Sequence, residues 1–209
     1  MQAIDGILFE PVGCLAEFPA APFNELAARL SGRRKSASKS GSRSYWHLLN
    51  VMETAGEAAD AGAIEALEME AVAGASVYED VLPALAELKT MGVKLCIASS
   101  LSSIAVARFL EISGAGEFFS AVWSRNNSGG IKAAPLRCAM TPQSIFLTDT
   151  AEGLKAARSA GVNCVLMMND PDEARRLAMR DPAGGIVSLH ELPDFIRLVA
   201  AENARPAGR

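Results

Sequence analysis

The run Ile7-Leu8-Phe9-Glu10-Pro11-Val12-Gly13-Cys14-Leu15 combines a buried type of segment with groups that can do chemistry. Apolar residues lead straight into an acidic one, as in a buried parallel strand that ends at a functional edge. In open α/β sheets ligands bind outside the carboxyl ends of the strands, which places Glu10 where chemistry is expected. Gly13 lets the chain turn sharply behind it. Cys14 would lie beside such a site, but a thiolate nucleophile needs a general base. His47 and His190 are the only histidines, so an inert buried cysteine is the expectation. A second group of charged residues, Arg33, Arg34, Lys35, Lys39 and Arg43, falls in a Ser/Gly-rich stretch and could attract a phosphorylated ligand or an acidic partner.

The elements that must position these residues alternate along the chain. A strand is expected over 3–10, a helix over 22–30, and a flexible loop over 31–44. Two further helices, 45–55 and 57–73, are separated near Gly56. Trp46 reads as packing and His47 as a surface or capping residue. From Tyr78 onward helix and strand alternate: helix 79–91, strand 93–98, helix 102–112, strand 121–123 and a loop at 126–130. Strand 144–147, helix 151–160, strand 162–168, helix 173–179, strand 185–187 and helix 191–202 follow, then a frayed tail, 203–209. This rhythm predicts an α/β protein with a parallel sheet, right-handed crossovers and helices on both faces.

At 209 residues the chain can bury one sizeable core plus an inserted subdomain. Its net charge of −4 supplies no global reason to bind nucleic acid. No apolar run nears the roughly 20 residues of a membrane span, and no secretory signal is read at the amino terminus. A cytoplasmic location is expected. Four widely spaced cysteines form no Cys-x-x-Cys pair, which argues against structural zinc; Cys96 and Cys164 fall in expected buried strands.

The stretch Ile7–Leu15 resembles the first motif of the haloacid dehalogenase-like hydrolases, hydrophobic-Phe-Asp-x-Asp-Gly-Thr-Leu. Phe9, Gly13 and Leu15 keep its frame. Glu10 and Val12 occupy the two Asp positions, and Cys14 the Thr position. Val77-Tyr78-Glu79-Asp80-Val81-Leu82-Pro83, with Leu88-Lys89 and Gly92, is similar to the family's return from an inserted cap. Leu95-Cys96-Ile97-Ala98-Ser99-Ser100 resembles the second motif, Lys132 in Gly129–Pro135 fits the third, and Ser144–Gly153 resembles the fourth.

The resemblance implies a Rossmann-like three-layer core, residues 1–16 and 76–209. A small helical cap, 17–75, would carry the basic loop at 31–44. It implies catalytic positions at Glu10, Ser99 and Lys132, phosphate contacts from Ser99, Ser100 and Lys132, and magnesium ligands at Glu10, the Val12 carbonyl and Asp149. Capping offers a plainer role for two of these, Ser99 at the helix near 102 and Asp149 at the helix from 151. The eight residues 136–143 leave little room for the helix that usually follows the lysine.

The chemistry of the first motif is altered. Glu10 lengthens the nucleophile's arm by one methylene, and a displacement of about 1 Å can cost roughly a hundredfold in rate. Val12 can neither give nor take a proton, help that is typically worth about 10²–10⁴-fold. The leading expectation is a catalytically impaired relative that keeps at most metal and phosphate binding. The alternatives are an active magnesium-dependent phosphomonoester hydrolase using Glu10, and an interaction protein whose partner docks on the cap.

Overall fold

The computed structural model describes residues 4–32, 38–55, 61–169 and 171–204. A six-stranded, wholly parallel sheet forms the centre, in the order β5 (Ala121–Trp123), β4 (Lys94–Ala98), β1 (Gly6–Phe9), β6 (Ser144–Thr148), β7 (Asn163–Met167), β8 (Gly184–Ile186). Every residue of β1 and β6 is buried, as expected where helices cover both faces of a parallel sheet. The three-layer α/β architecture expected from the alternating pattern is present.

Register decides where the chemistry goes. Phe9 pairs with Ile97 of β4 on one side and with Leu147 of β6 on the other. Three strand ends are therefore level, and Glu10, Ser99 and Asp149 all leave the same edge of the sheet. Beyond β1 a short turn, α1 (Pro11–Cys14), contains Gly13 at φ 84°. It leads to a two-stranded antiparallel ribbon, β2 (Ala16–Glu17) with β3 (Ser76–Val77), which the periodicity of the sequence does not reveal. Two-residue strands are too short to carry a period.

Three helices lie between the strands of this ribbon: α2 (Ala20–Ser31), α3 (Gly41–Ala55) and α4 (Ala61–Ala73). The helix expected from Tyr45 starts four residues earlier, at Gly41, inside the stretch expected to be a loop. Hydrogen bonds offset the poor helix propensity of Gly and Ser there: Ser40 Oγ accepts from Arg43 N at 3.4 Å, and Ser44 Oγ donates to the Ser40 carbonyl at 2.9 Å. The expected break near Gly56, the basic residues Arg33, Arg34 and Lys35, and tail residues 205–209 lie outside the described residues.

After β3 come α5 (Val81–Thr90), α6 (Ser103–Ser113), α7 (Arg125–Ser128), α8 (Ala133–Ala139), α9 (Ala151–Ala160), α10 (Pro171–Ala178) and α11 (Leu192–Ala204). Two expectations are corrected here. The loop at 126–130 is largely the turn α7, held by Ser124 and Asn127 in a reciprocal capping box. The lysine is followed by a helix after all, because α8 starts at Ala133 and uses residues assigned to the loop.

An aromatic chain joins the inserted helices to the core. Phe109 on α6 lies 5.6 Å from Phe18, Phe18 lies 6.3 Å from Phe23 on α2, and Phe23 lies 5.3 Å from Tyr45 on α3. All four are fully buried. Such pairs contribute about 0.5–1.5 kcal/mol each beyond their area, so the Tyr45 ring is held firmly.

The start of α3 is fixed by close approach. A Cβ on Gly41 would lie 2.0 Å from the Phe18 carbonyl oxygen. Gly41→Ala is therefore expected to cost about 1–3 kcal/mol. Urea unfolding of the variant should show a lowered midpoint with an unchanged slope.

Candidate functional site

Glu10 extends β1 by one residue, and its side chain enters the space between β4 and α3. It is 2% exposed. Ser99 donates from Oγ to Oε1 at 2.6 Å, and the Tyr45 hydroxyl donates to Oε2 at 3.1 Å. The Tyr45 and Ser99 hydroxyl oxygens are 3.4 Å apart, which closes a triangle. Burial pushes the Glu10 carboxyl up to about 8, against the pull of Ser99, Tyr45 and the backbone at Ser100 and Val12. Near neutral pH the group is mostly protonated. Burial likewise raises the Tyr45 phenol well above its usual range.

Asp149 follows β6 and faces α1. Ser42 of α3 donates from Oγ to its Oδ2 at 2.6 Å, and Asn169 Nδ2 stands 3.5 Å from the same oxygen. Oδ1 is buried without a hydrogen-bond partner. A Cβ on Gly13 would lie 2.6 Å from Oδ2, so only glycine lets α1 pass this close to the carboxylate, and its φ of 84° needs glycine as well. Asn169 Nδ2 also donates to the Gly13 carbonyl at 2.7 Å, tying the loop after β7 to this turn. Burial raises the Asp149 carboxyl to about 6, opposed by Ser42 and Asn169. A cavity of about 330 Å³ lies on this side, lined by Ser40, Ser42, Arg43, Asp149, Asn169 and Glu173 among others.

Neither Ser99 nor Asp149 is spent on capping. Ser102 caps α6, accepting from Ala105 N at 3.2 Å, and Thr150 caps α9, accepting from Gly153 N at 3.1 Å. Ser100 is buried, and its Oγ accepts from the Lys132 backbone N at 2.7 Å. The Lys132 ammonium lies elsewhere: it donates to Asn50 Oδ1 at 2.7 Å and to Glu53 Oε2 at 2.6 Å, both on α3. Glu10 and Ser99 are thus in direct contact, whereas the lysine side chain is engaged with the inserted helices.

A further link was not anticipated. Glu68 on α4 is completely buried, pairs with Arg125 of α7, and accepts from Ser102 N at 3.0 Å. Arg125 also donates to the Ser100 carbonyl at 3.3 Å. Burial raises the Glu68 carboxyl, and the guanidinium beside it offsets part of the rise.

Comparison with known proteins agrees with this geometry. The profile of the family described as "Haloacid dehalogenase-like hydrolase" matches residues 38–167, more than half of the chain. The chain belongs to that family. A phosphoglycolate phosphatase from Pseudomonas syringae pv. syringae (strain B728a) is 29% identical over 124 residues, 56% of this chain and 46% of its own. The chain thus matches about half the length of that relative. Solved structures that share the fold include the following two. A predicted phosphatase from Clostridium acetobutylicum has a TM-score of 0.70 at 16% identity, with 94% of this chain and 100% of that one covered. CbbY from Rhodobacter sphaeroides in complex with phosphate has a TM-score of 0.65 at 23% identity, with 90% and 96% covered.

Within this haloacid dehalogenase-like frame, sequence reasoning missed Ser42, Tyr45, Asn169 and the Glu68–Arg125 pair. The i, i+3 spacing of Ser42 and Tyr45 puts both on one face of a helix, a signal hidden when the helix is begun at Tyr45. Cys14 is buried, and burial with the neighbouring Asp149 and Glu10 carboxylates raises its thiol well above the usual range, so it is a packing residue.

Among the described residues no three His, Cys, Asp or Glu side chains converge as a metal cluster. Magnesium needs less, since one or two carboxylates with waters suffice. The orphaned Oδ1 of Asp149 fits such a role. Glu10 fits it once its two hydroxyl partners let go. No helix among the described residues is long and apolar enough to cross a membrane.

Two outcomes follow from this chemistry. The folded-state pKa of Glu10 lies above its ordinary value of 4.5, so folded protein holds the extra proton between pH 4.5 and about 8. That stabilisation is complete below the window and is lost as pH rises through it. Thermal unfolding should show wild type losing on the order of a few kcal/mol between pH 5 and 9, while Glu10→Gln, always neutral, flattens the upper part of the profile. Equal slopes would contradict the buried, protonated carboxyl. Separately, Arg125→Ala leaves Glu68 buried and unpaired, and should cost about 3–5 kcal/mol in chemical denaturation.

Proposed function

We propose that this haloacid dehalogenase-like protein is a catalytically impaired homologue of the phosphomonoester hydrolases, which retains binding of a small phosphorylated ligand and a divalent cation. One observation carries the reading: the carboxyl at the nucleophile position is 2% exposed, and both its oxygens are hydrogen-bonded to the buried hydroxyls of Ser99 and Tyr45. Nucleophilic attack requires an ionised carboxylate open to the substrate and aligned with it. Glu10 is sealed and mostly protonated. Val12, at the acid/base position, is an apolar core residue that can move no proton to a leaving group.

The binding parts of the machinery are better kept. Ser99 and Ser100 present hydroxyls ahead of the N-terminus of α6, a favourable place for an anion. Lys132 sits close enough for its backbone to bond Ser100, and its ammonium is exchangeable because its partner Glu53 is well exposed. Asp149, with Glu10 and the Val12 carbonyl, would hold magnesium, which when bound supplies positive charge against a phosphoryl group. The phosphatase name of the Pseudomonas relative and the phosphate in the CbbY structure support a phosphorylated ligand. Residues 17–75 form the cap in this reading, and α3 is its site-facing helix.

A phosphatase assay with para-nitrophenyl phosphate and magnesium tests the proposal. Turnover of wild type is expected to match that of Glu10→Gln. Robust magnesium-dependent turnover that vanishes in Glu10→Gln would instead establish an active hydrolase with a glutamate nucleophile.

A further inference from the structure

We propose that α3 is a built-in occupant of its own site: the Tyr45 hydroxyl holds the place of a ligand oxygen between Glu10 and Ser99, and the Ser42 hydroxyl holds the place of a cation on Asp149. Joint binding of magnesium and phosphate then requires the first turn of α3 to withdraw. This inference rests on the reading of the site as a cation and phosphate site.

The geometry is specific. Ser42 and Tyr45 are one helical turn apart, and each reaches a carboxylate at the end of a different strand, Asp149 after β6 at 2.6 Å and Glu10 after β1 at 3.1 Å. The second contact of Tyr45, 3.4 Å to Ser99, falls on the hydroxyl best placed to meet a phosphoryl oxygen. Ser42, Tyr45, Ser99 and Glu10 are all at most 3% exposed. No solute can touch Glu10 or Ser99 while α3 stays where it is. The other oxygen of the Asp149 carboxylate, Oδ1, is buried without a partner, so Asp149 keeps unmet acceptor capacity that a cation taking the place of Ser42 would meet.

The far end of α3 supplies the other half of an exchange. Lys132 reaches α3 through Asn50 and Glu53, and the Glu53 side chain is 62% exposed. With its glutamate end open to water the pair is a weak one. A bound phosphate would offer the same ammonium a stronger partner and so loosen α3 at one end while displacing Tyr45 and Ser42 at the other. The ligand has a differential interaction with the two positions of α3, which any population shift requires. The aromatic contact of Tyr45 with Phe23 and the close packing of Gly41 on Phe18 oppose withdrawal, so the resting chain is occluded.

Calorimetric titration with magnesium, and with inorganic phosphate in its presence, tests the inference on wild type, Ser42→Ala, Tyr45→Ala and each with Asp149→Asn. Thermal unfolding establishes that every variant is folded, and Ser42→Ala, a small change, keeps the test sound if Tyr45→Ala is not. The expected result is magnesium binding at least about tenfold tighter in Ser42→Ala and phosphate binding tightened similarly in Tyr45→Ala, with Asp149→Asn abolishing the magnesium signal. Asp149-dependent magnesium binding of equal affinity in wild type and Ser42→Ala would overturn the occupancy of the site by α3 and leave the site reading standing. Failure of every variant to bind either probe would overturn both.

Discussion

The structure depends on satisfying a carboxyl group that the fold forces inside. The register of β1 between β4 and β6 carries Glu10 to a covered edge of the sheet, where a lone charge would be very costly. Two hydroxyls and a retained proton meet that demand. One hydroxyl comes from the neighbouring strand end, and the other must come from the inserted helices. A local requirement at the end of β1 thereby dictates where α3 lies.

The remaining polar links repeat this arrangement. Asp149 is met by Ser42, Lys132 by Asn50 and Glu53, and Arg125 by Glu68, so these three groups also find partners on α3 or α4. Glu68 with Arg125 is the most buried of these, and it braces the Ser100–Ser102 segment through backbone contacts at both ends. Such bonds orient groups more than they stabilise the fold, because desolvation consumes much of the Coulombic gain. Apolar packing supplies the stability, through the Phe109–Phe18–Phe23–Tyr45 chain that holds α2 and α3 to the core.

Residues that frame the site also hold the fold. The buried apolar strand and the glycine at the turn are needed for folding whatever Glu10 does. Gly13 in particular cannot change while Asp149 stays beside it. Packing constraints thus act on the same residues that line the site.

The sequence by itself determined the α/β class, the order of the parallel strands' helices, and the placing of Glu10, Ser99 and Asp149 at strand ends. Period-two and period-3.6 patterns and strand-ending polar residues are local signals, and a buried parallel sheet leaves them intact. Helix starts were less legible: Gly41–Ser44 reads as loop by propensity, and α3 forms there because Glu17 and Asp149 supply hydrogen-bond partners and the Phe18 backbone packs close against Gly41. The two-residue ribbon β2–β3 carried no periodic signal at all. Only the tertiary structure decided that Tyr45 and Ser42 meet the two site carboxylates and that Lys132 turns to Glu53. Those choices depend on side chains 35 to 107 positions apart in sequence, a separation across which no local pattern carries information.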